Sequence, residues 1–186
     1  MLCAERGITV ETRARNAGDA NLDETNYFNV IQRKTARLFE AAARLGAVLG
    51  NADRATEDNL ARYGTHLGIA FQLIDDVLDY SGSTEAIGKN LGDDLAEGKM
   101  TLPLIRALAA GNPEEAAIIL HAVGGGGLTD FAPVKAVLDR TGALAYSQKR
   151  AEEEGHHAAQ CLHGLPDSPY RKSLLELTSF AAQRTY

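Results

Sequence analysis

Cysteine is nearly absent from this 186-residue chain, and the two that occur, Cys3 and Cys161, stand far apart without partner spacing. That argues against a disulfide framework and a Cys/His zinc site, and a reducing cytoplasm is the simplest compartment for such a chain. No apolar run approaches membrane-spanning length, and residues 1–20 are polar and mixed in charge rather than built like a signal peptide. Positive charge is sparse as well. The formal net charge is −6 and the lysines and arginines are scattered, which argues against a nucleic-acid surface that must neutralise many phosphates. A small anionic ligand held by a few local cations stays compatible with this balance. The glycine run Gly124 to Gly127 carries no lysine or serine in phosphate-loop order and reads as a flexible turn. Alternating β-branched runs, the mark of half-buried strands, are missing too.

What is present is helical periodicity. Hydrophobic residues make up 45% of the chain, enough for a core, and they recur at three- and four-residue spacing, so the fold class is all-α with about seven helices. The first is expected from Glu24 to Leu49, closed by Gly50-Asn51, which tolerate a left-handed terminus. The next starts near Thr56 as N-cap, with Glu57 and Asp58 at the positive end of the dipole, and runs to about Tyr80. A polar, glycine-rich loop from Ser81 to Gly98 precedes a helix at Thr101 to Ala110. Asn112-Pro113-Glu114-Glu115 supplies an N-cap, a proline at the first helical position and a carboxylate at the third. Helices from Asp130 to Thr141 and Ala143 to His163 follow, and Leu165-Pro166-Asp167-Ser168-Pro169 opens the last.

The stretch from Gly68 to Tyr80 carries the chemistry. At about 100° per residue, with Asp75 at zero, Asp79 lies near 40°, Gln72 near 60° and Asp76 near 100°. Ala70, Phe71, Leu73, Ile74, Val77 and Leu78 occupy most of the remaining circumference, so the helix is largely buried. A surface helix would place lysine or arginine four residues on to offset these acids, and this one offers glutamine. A hard divalent cation with oxygen ligands is the natural counter-charge. Magnesium suits better than calcium because it binds through one or two carboxylates together with water and phosphate oxygens. Downstream, Gly88-Lys89 and Gly98-Lys99 pair close backbone approach with flexible cations that can reach a phosphate. Lys34-Thr35 sets another cation beside a hydroxyl. His66, His121, His156, His157 and His163 fit no ligand spacing with another His or Cys and read as surface or otherwise satisfied residues.

Phe71-Gln72-Leu73-Ile74-Asp75-Asp76-Val77-Leu78-Asp79 resembles the second aspartate-rich motif of the trans-polyprenyl diphosphate synthases. Lys34-Thr35-Ala36 resembles that family's lysine-threonine pair, and Gly88-Lys89 through Lys99-Met100-Thr101-Leu102-Pro103 resembles the loop after the motif. The similarity runs from Tyr27 to the C-terminus, through Arg150-Ala151-Glu152-Glu153-Glu154 and the closing Gln183-Arg184. It implies an antiparallel helical bundle of the isoprenoid synthase type, usually homodimeric, using Mg2+. On that resemblance Asp75, Asp76 and Asp79 are metal ligands. Lys34, Thr35, Gln72 and Lys89 act in catalysis and, with Lys99, hold the diphosphate, while Asp94 is a supporting acid. The implied reaction joins isopentenyl diphosphate to an allylic diphosphate, building a long-chain, octaprenyl, diphosphate for quinone side chains.

The family's first motif, D-D-x-x-D followed by paired arginines, does not occur in this sequence. The expected division is an atypical segment at 1–22 and the C-terminal part of the synthase helical domain at 23–186. Little turnover is expected from this chain alone. Two other functions share the pattern: a non-catalytic partner subunit or truncated fragment that associates with another helical chain, and a terpene cyclase-like diphosphate lyase.

Overall fold

The helix expected from Glu24 to Leu49 forms, but it is not uniform. In the computed structural model, which describes residues 23–81 and 91–184, α1 (Glu24–Ile31) passes through a π-helical turn, Gln32–Ala36, into α2 (Arg37–Leu49). Lys34 and Thr35 lie in that wider turn. Asn51, at φ 52°, ends the run in the left-handed region as the Gly50-Asn51 pair implies. The following helix, α3 (Arg54–Ser81), starts earlier than Thr56. Asp53 is the cap: its carboxylate accepts the Thr56 backbone N–H at 2.8 Å, which places Thr56 inside the first turn. A short α4 (Asp93–Ala96) interrupts the segment read as loop. Then come α5 (Leu102–Ala110), α6 (Pro113–His121), α7 (Phe131–Thr141), α8 (Ala143–Cys161) and α9 (Pro169–Gln183). The split of the first helix and the added α4 account for nine α-helices among the described residues where about seven are expected. No β-strand occurs among those residues, and no helix of theirs is long and apolar enough to cross a membrane.

The chain divides into two compact units. One takes in 29–72 and 151–184; the described part of the other is 23–28, 73–81 and 91–150. In the first, Tyr63 and Leu67 of α3 form a core with Ala158 and Leu162 and with Ala181 of α9, while Phe39, Leu60, Phe71 and Leu174 pack around it. The Tyr63 hydroxyl, its pKa pushed up to about 12 by burial, donates to the Leu174 carbonyl at 3.0 Å. Glycine permits the closest approach. A Cβ on Gly64 would lie 2.4 Å from the Phe39 carbonyl oxygen, and one on Gly68 would lie 2.6 Å from the Ala36 Cα.

In the second unit Leu73, Ile74, Tyr80, Leu95, Leu102, Leu104, Ile119, Val134 and Leu138 are all buried. The Tyr80 ring stacks on Phe131 with centroids 6.1 Å apart. Asn112 caps α6 as its sequence implies, accepting the Glu115 N–H at 3.0 Å while the Glu115 carboxylate accepts the Asn112 N–H at 2.8 Å. Arg140 also pairs with that carboxylate and holds its pKa below the usual range. Gly125 and Gly127, at φ 134° and 57°, make the expected turn. Glu24 accepts hydrogen bonds from the Tyr146 hydroxyl at 2.9 Å and from Arg150 at 2.8 Å, so the start of α1 is tied to α8.

Candidate metal and diphosphate site

The last turns of α3 present the carboxylates, and the structure distinguishes among them. Asp76 is the deepest, 2% exposed, whereas Gln72, Asp75 and Asp79 are half-buried. A buried carboxylate needs donors, since its desolvation is otherwise uncompensated. Tyr27 supplies one: its hydroxyl donates to Asp76 Oδ2 at 2.5 Å. Burial, reinforced by the charge of Asp76, raises the Tyr27 pKa well above its ordinary value, so the phenol stays a donor across the working pH range. Nothing in the local pattern announces this contact, because the partners are 49 residues apart.

Asp79 is held differently. The Gly92 N–H donates to its backbone carbonyl at 3.0 Å, and the Asp94 N–H donates to its carboxylate at 3.1 Å. This approach requires a glycine: Gly92 sits at φ 82°, and a Cβ there would lie 2.6 Å from the Phe131 ring. Burial pushes the Asp79 pKa up to about 6, the nearby charges of Asp94 and Asp93 add to the rise, and the backbone N–H groups oppose it. Asp94 in turn accepts from Lys99 Nζ at 2.8 Å, and Glu97 pairs with the same ammonium at 2.8 Å. Burial works against that ammonium, but its bonds to Asp94 and Glu97 prevail and raise its pKa. Lys99 and Asp94 thus form one acid–base pair beside Asp79.

In the other unit, Thr35 donates its hydroxyl to Gln72 Oε1 at 2.8 Å, which fixes the carboxamide. Lys34 is exposed on the π-helical turn. Lys89 and residues 1–22 lie outside the described residues. The histidines are surface or satisfied residues as expected, with His121, His156, His157 and His163 exposed and His66 hydrogen-bonded, and two of them, His66 and His157, share a carboxylate neighbour. Folding brings them to Glu154, across a sequence separation of 88 residues for the His66 pair, which spacing along the chain cannot reveal.

The donors along α3 are hard carboxylate oxygens, the set that suits Mg2+ or Ca2+ and not a soft metal. This all-α arrangement superposes on solved polyprenyl synthases, which places it in the isoprenoid synthase class of fold. A polyprenyl synthase from Caulobacter crescentus CB15, solved with calcium and isoprenyl diphosphate, superposes with a TM-score of 0.87 at 37% identity, covering 100% of this chain and 56% of that one. Geranylgeranyl pyrophosphate synthase from Corynebacterium glutamicum, solved with isoprenyl diphosphate and magnesium, superposes with a TM-score of 0.82 at 30% identity, over 89% of this chain and 48% of that one.

Residues 2–140 match the family model described as polyprenyl synthetase, and the chain belongs to that family. It is 45% identical to octaprenyl diphosphate synthase of Haemophilus influenzae over 172 residues, 92% of this chain and 52% of the relative. The chain therefore spans about half the length of the curated relatives it matches.

Proposed function

We propose that this chain carries the second carboxylate cluster of a magnesium-dependent trans-prenyltransferase that elongates an allylic diphosphate with isopentenyl diphosphate to a long-chain, octaprenyl, product. The observation that carries this reading is the treatment of three acids on one helix face. Asp76 is buried and hydrogen-bonded to Tyr27, and Asp79 is fixed by the Asp94 N–H. A protein that needed only a solvated acidic surface would have no reason to bury and orient these side chains.

In this reading Asp75, Asp76 and Asp79 would hold Mg2+, which when bound would supply positive charge to offset the negative charge developing on departing pyrophosphate. Lys34 and Lys89 add positive charge toward the diphosphate, and Lys99 does so while tethered to Asp94. Thr35 orients Gln72 so that its amide is presented in one direction. Ionisation breaks the allylic C–O bond. The double bond of isopentenyl diphosphate then attacks the allylic cation, and loss of a proton completes one elongation. Apolar helix faces shield the cation from water.

The homodimer implied by the family resemblance and the cytoplasmic location expected from the sparse cysteines belong to the same proposal. Size-exclusion chromatography at several concentrations tests the dimer. For catalysis, the direct assay follows labelled isopentenyl diphosphate into polyprenyl products with farnesyl diphosphate and Mg2+. The 186 residues alone are expected to give little product, and co-expression with a polypeptide bearing the first aspartate-rich motif is expected to raise it. Asp75→Ala should abolish that gain. Equal gains by wild type and Asp75→Ala on co-expression contradict the proposal.

A further inference from the structure

Away from the aspartate face, in the unit formed by 29–72 and 151–184, three side chains from two helices meet at one point. Glu154 and His157 stand three residues apart on α8, so they share a face, and His66 comes to them from α3. His66 Nδ1 lies 2.7 Å from Glu154 Oε2, and His157 Nδ1 lies 3.9 Å from Glu154 Oε1. The two imidazole centroids are 5.3 Å apart at an interplanar angle of 56°. One ligand atom from each of the three residues falls within 4.8 Å of the other two.

From this geometry we infer that His66, Glu154 and His157 form a binding site for a borderline transition-metal ion, with Zn2+ as the best-fitting species. Two imidazole nitrogens and one carboxylate oxygen are a donor set that zinc accepts in sites with an open fourth position. Mg2+ and Ca2+ prefer oxygen donors throughout, so this trio and the aspartate face of α3 select different ions. Zinc with ligands at about 2.0–2.1 Å needs donor atoms roughly 3.3 Å apart in a tetrahedron. The two nitrogen-to-carboxylate distances, 2.7 and 3.9 Å, lie on either side of that figure. His157 is 53% exposed and leaves the fourth position to water, while Glu154, 14% exposed, sits at the base.

The backbone beneath the trio is held firmly. Tyr63 and Leu67 beside His66 are buried in the same core as Ala158 next to His157 and Leu162 one turn further on. Between the two α8 ligands, Gly155 brings α8 so near α9 that a Cβ there would lie 3.0 Å from the Ala182 methyl. Such a support keeps the ligands near their binding positions without the metal, which lowers the ordering cost of capture.

Titration of the metal-stripped chain with zinc chloride, followed by calorimetry and by thermal unfolding, tests the assignment. Wild type is expected to bind one zinc and to gain thermal stability with it, because the ion binds the folded state. His157→Ala, at a position whose side chain is 53% exposed, should lose both effects, as should Glu154→Gln and His66→Gln. Magnesium in excess should not displace the zinc. Absence of zinc binding in wild type overturns the inference. So does zinc binding that persists at full strength in His157→Ala, since the ion would then be held by carboxylates elsewhere.

Discussion

Gly64→Ala is expected to destabilise the protein by about 2 kcal/mol, although alanine is the better helix former. Replacing a glycine inside a helix gains about 1 kcal/mol in propensity. Against this, the new methyl group would lie 2.4 Å from the Phe39 carbonyl oxygen and 2.7 Å from the Glu40 Cα, both backbone atoms of α2 that cannot swing aside. Overpacking costs about 1–3 kcal/mol and sometimes more, and a clash this close with backbone atoms belongs at or above the top of that range, so the steric cost wins. For a chain of this size the net loss corresponds to a fall in Tm of about 4–8 °C. Gly68→Ala should behave alike, because its Cβ would meet the Ala36 Cα at 2.6 Å. Gly46→Ala is the control. It is exposed in α2 with nothing within 4 Å of a Cβ, so it should hold or raise the Tm. Thermal unfolding of the three variants side by side checks the account, and a Gly64→Ala protein as stable as Gly46→Ala would refute the close approach of these helices.

Tyr27→Phe is expected to cost about 1.5–3 kcal/mol, the range for a hydrogen bond to a charged group, with no change in the volume of the ring. The loss arises because the substitution removes the 2.5 Å donor to a carboxylate that is 2% exposed. Urea unfolding measures it. If Asp76 drew its support from solvent, the variant would unfold at the wild-type midpoint.

The aspartate face was legible because helical periodicity is a local property. Asp75, Asp76 and Asp79 fall on one arc by arithmetic alone, and Asn112-Pro113-Glu114-Glu115 specifies its own cap within four residues. Where two capping residues compete at short range, sequence order does not decide. Asp53 starts α3 and Thr56 lies inside it because the Asp53 carboxylate reaches the Thr56 N–H. The π-helical turn at Lys34-Thr35 left no trace in the periodicity, since apolar residues on either side keep a helical spacing. Long-range pairs were the least visible. The bond from Tyr27 to Asp76 spans 49 residues, and the trio of His66, Glu154 and His157 exists only once α3 and α8 meet.

The most direct test of the aspartate cluster is calorimetry of pyrophosphate binding in the presence and absence of Mg2+, comparing wild type with Asp75→Ala. Asp75 is half-buried on the face and is a partner in neither the Tyr27–Asp76 nor the Asp79–Asp94 hydrogen bond. The account predicts magnesium-dependent binding by wild type and at least a tenfold weaker affinity in the variant, about 1.4 kcal/mol or more. Equal affinities in the two proteins would contradict it.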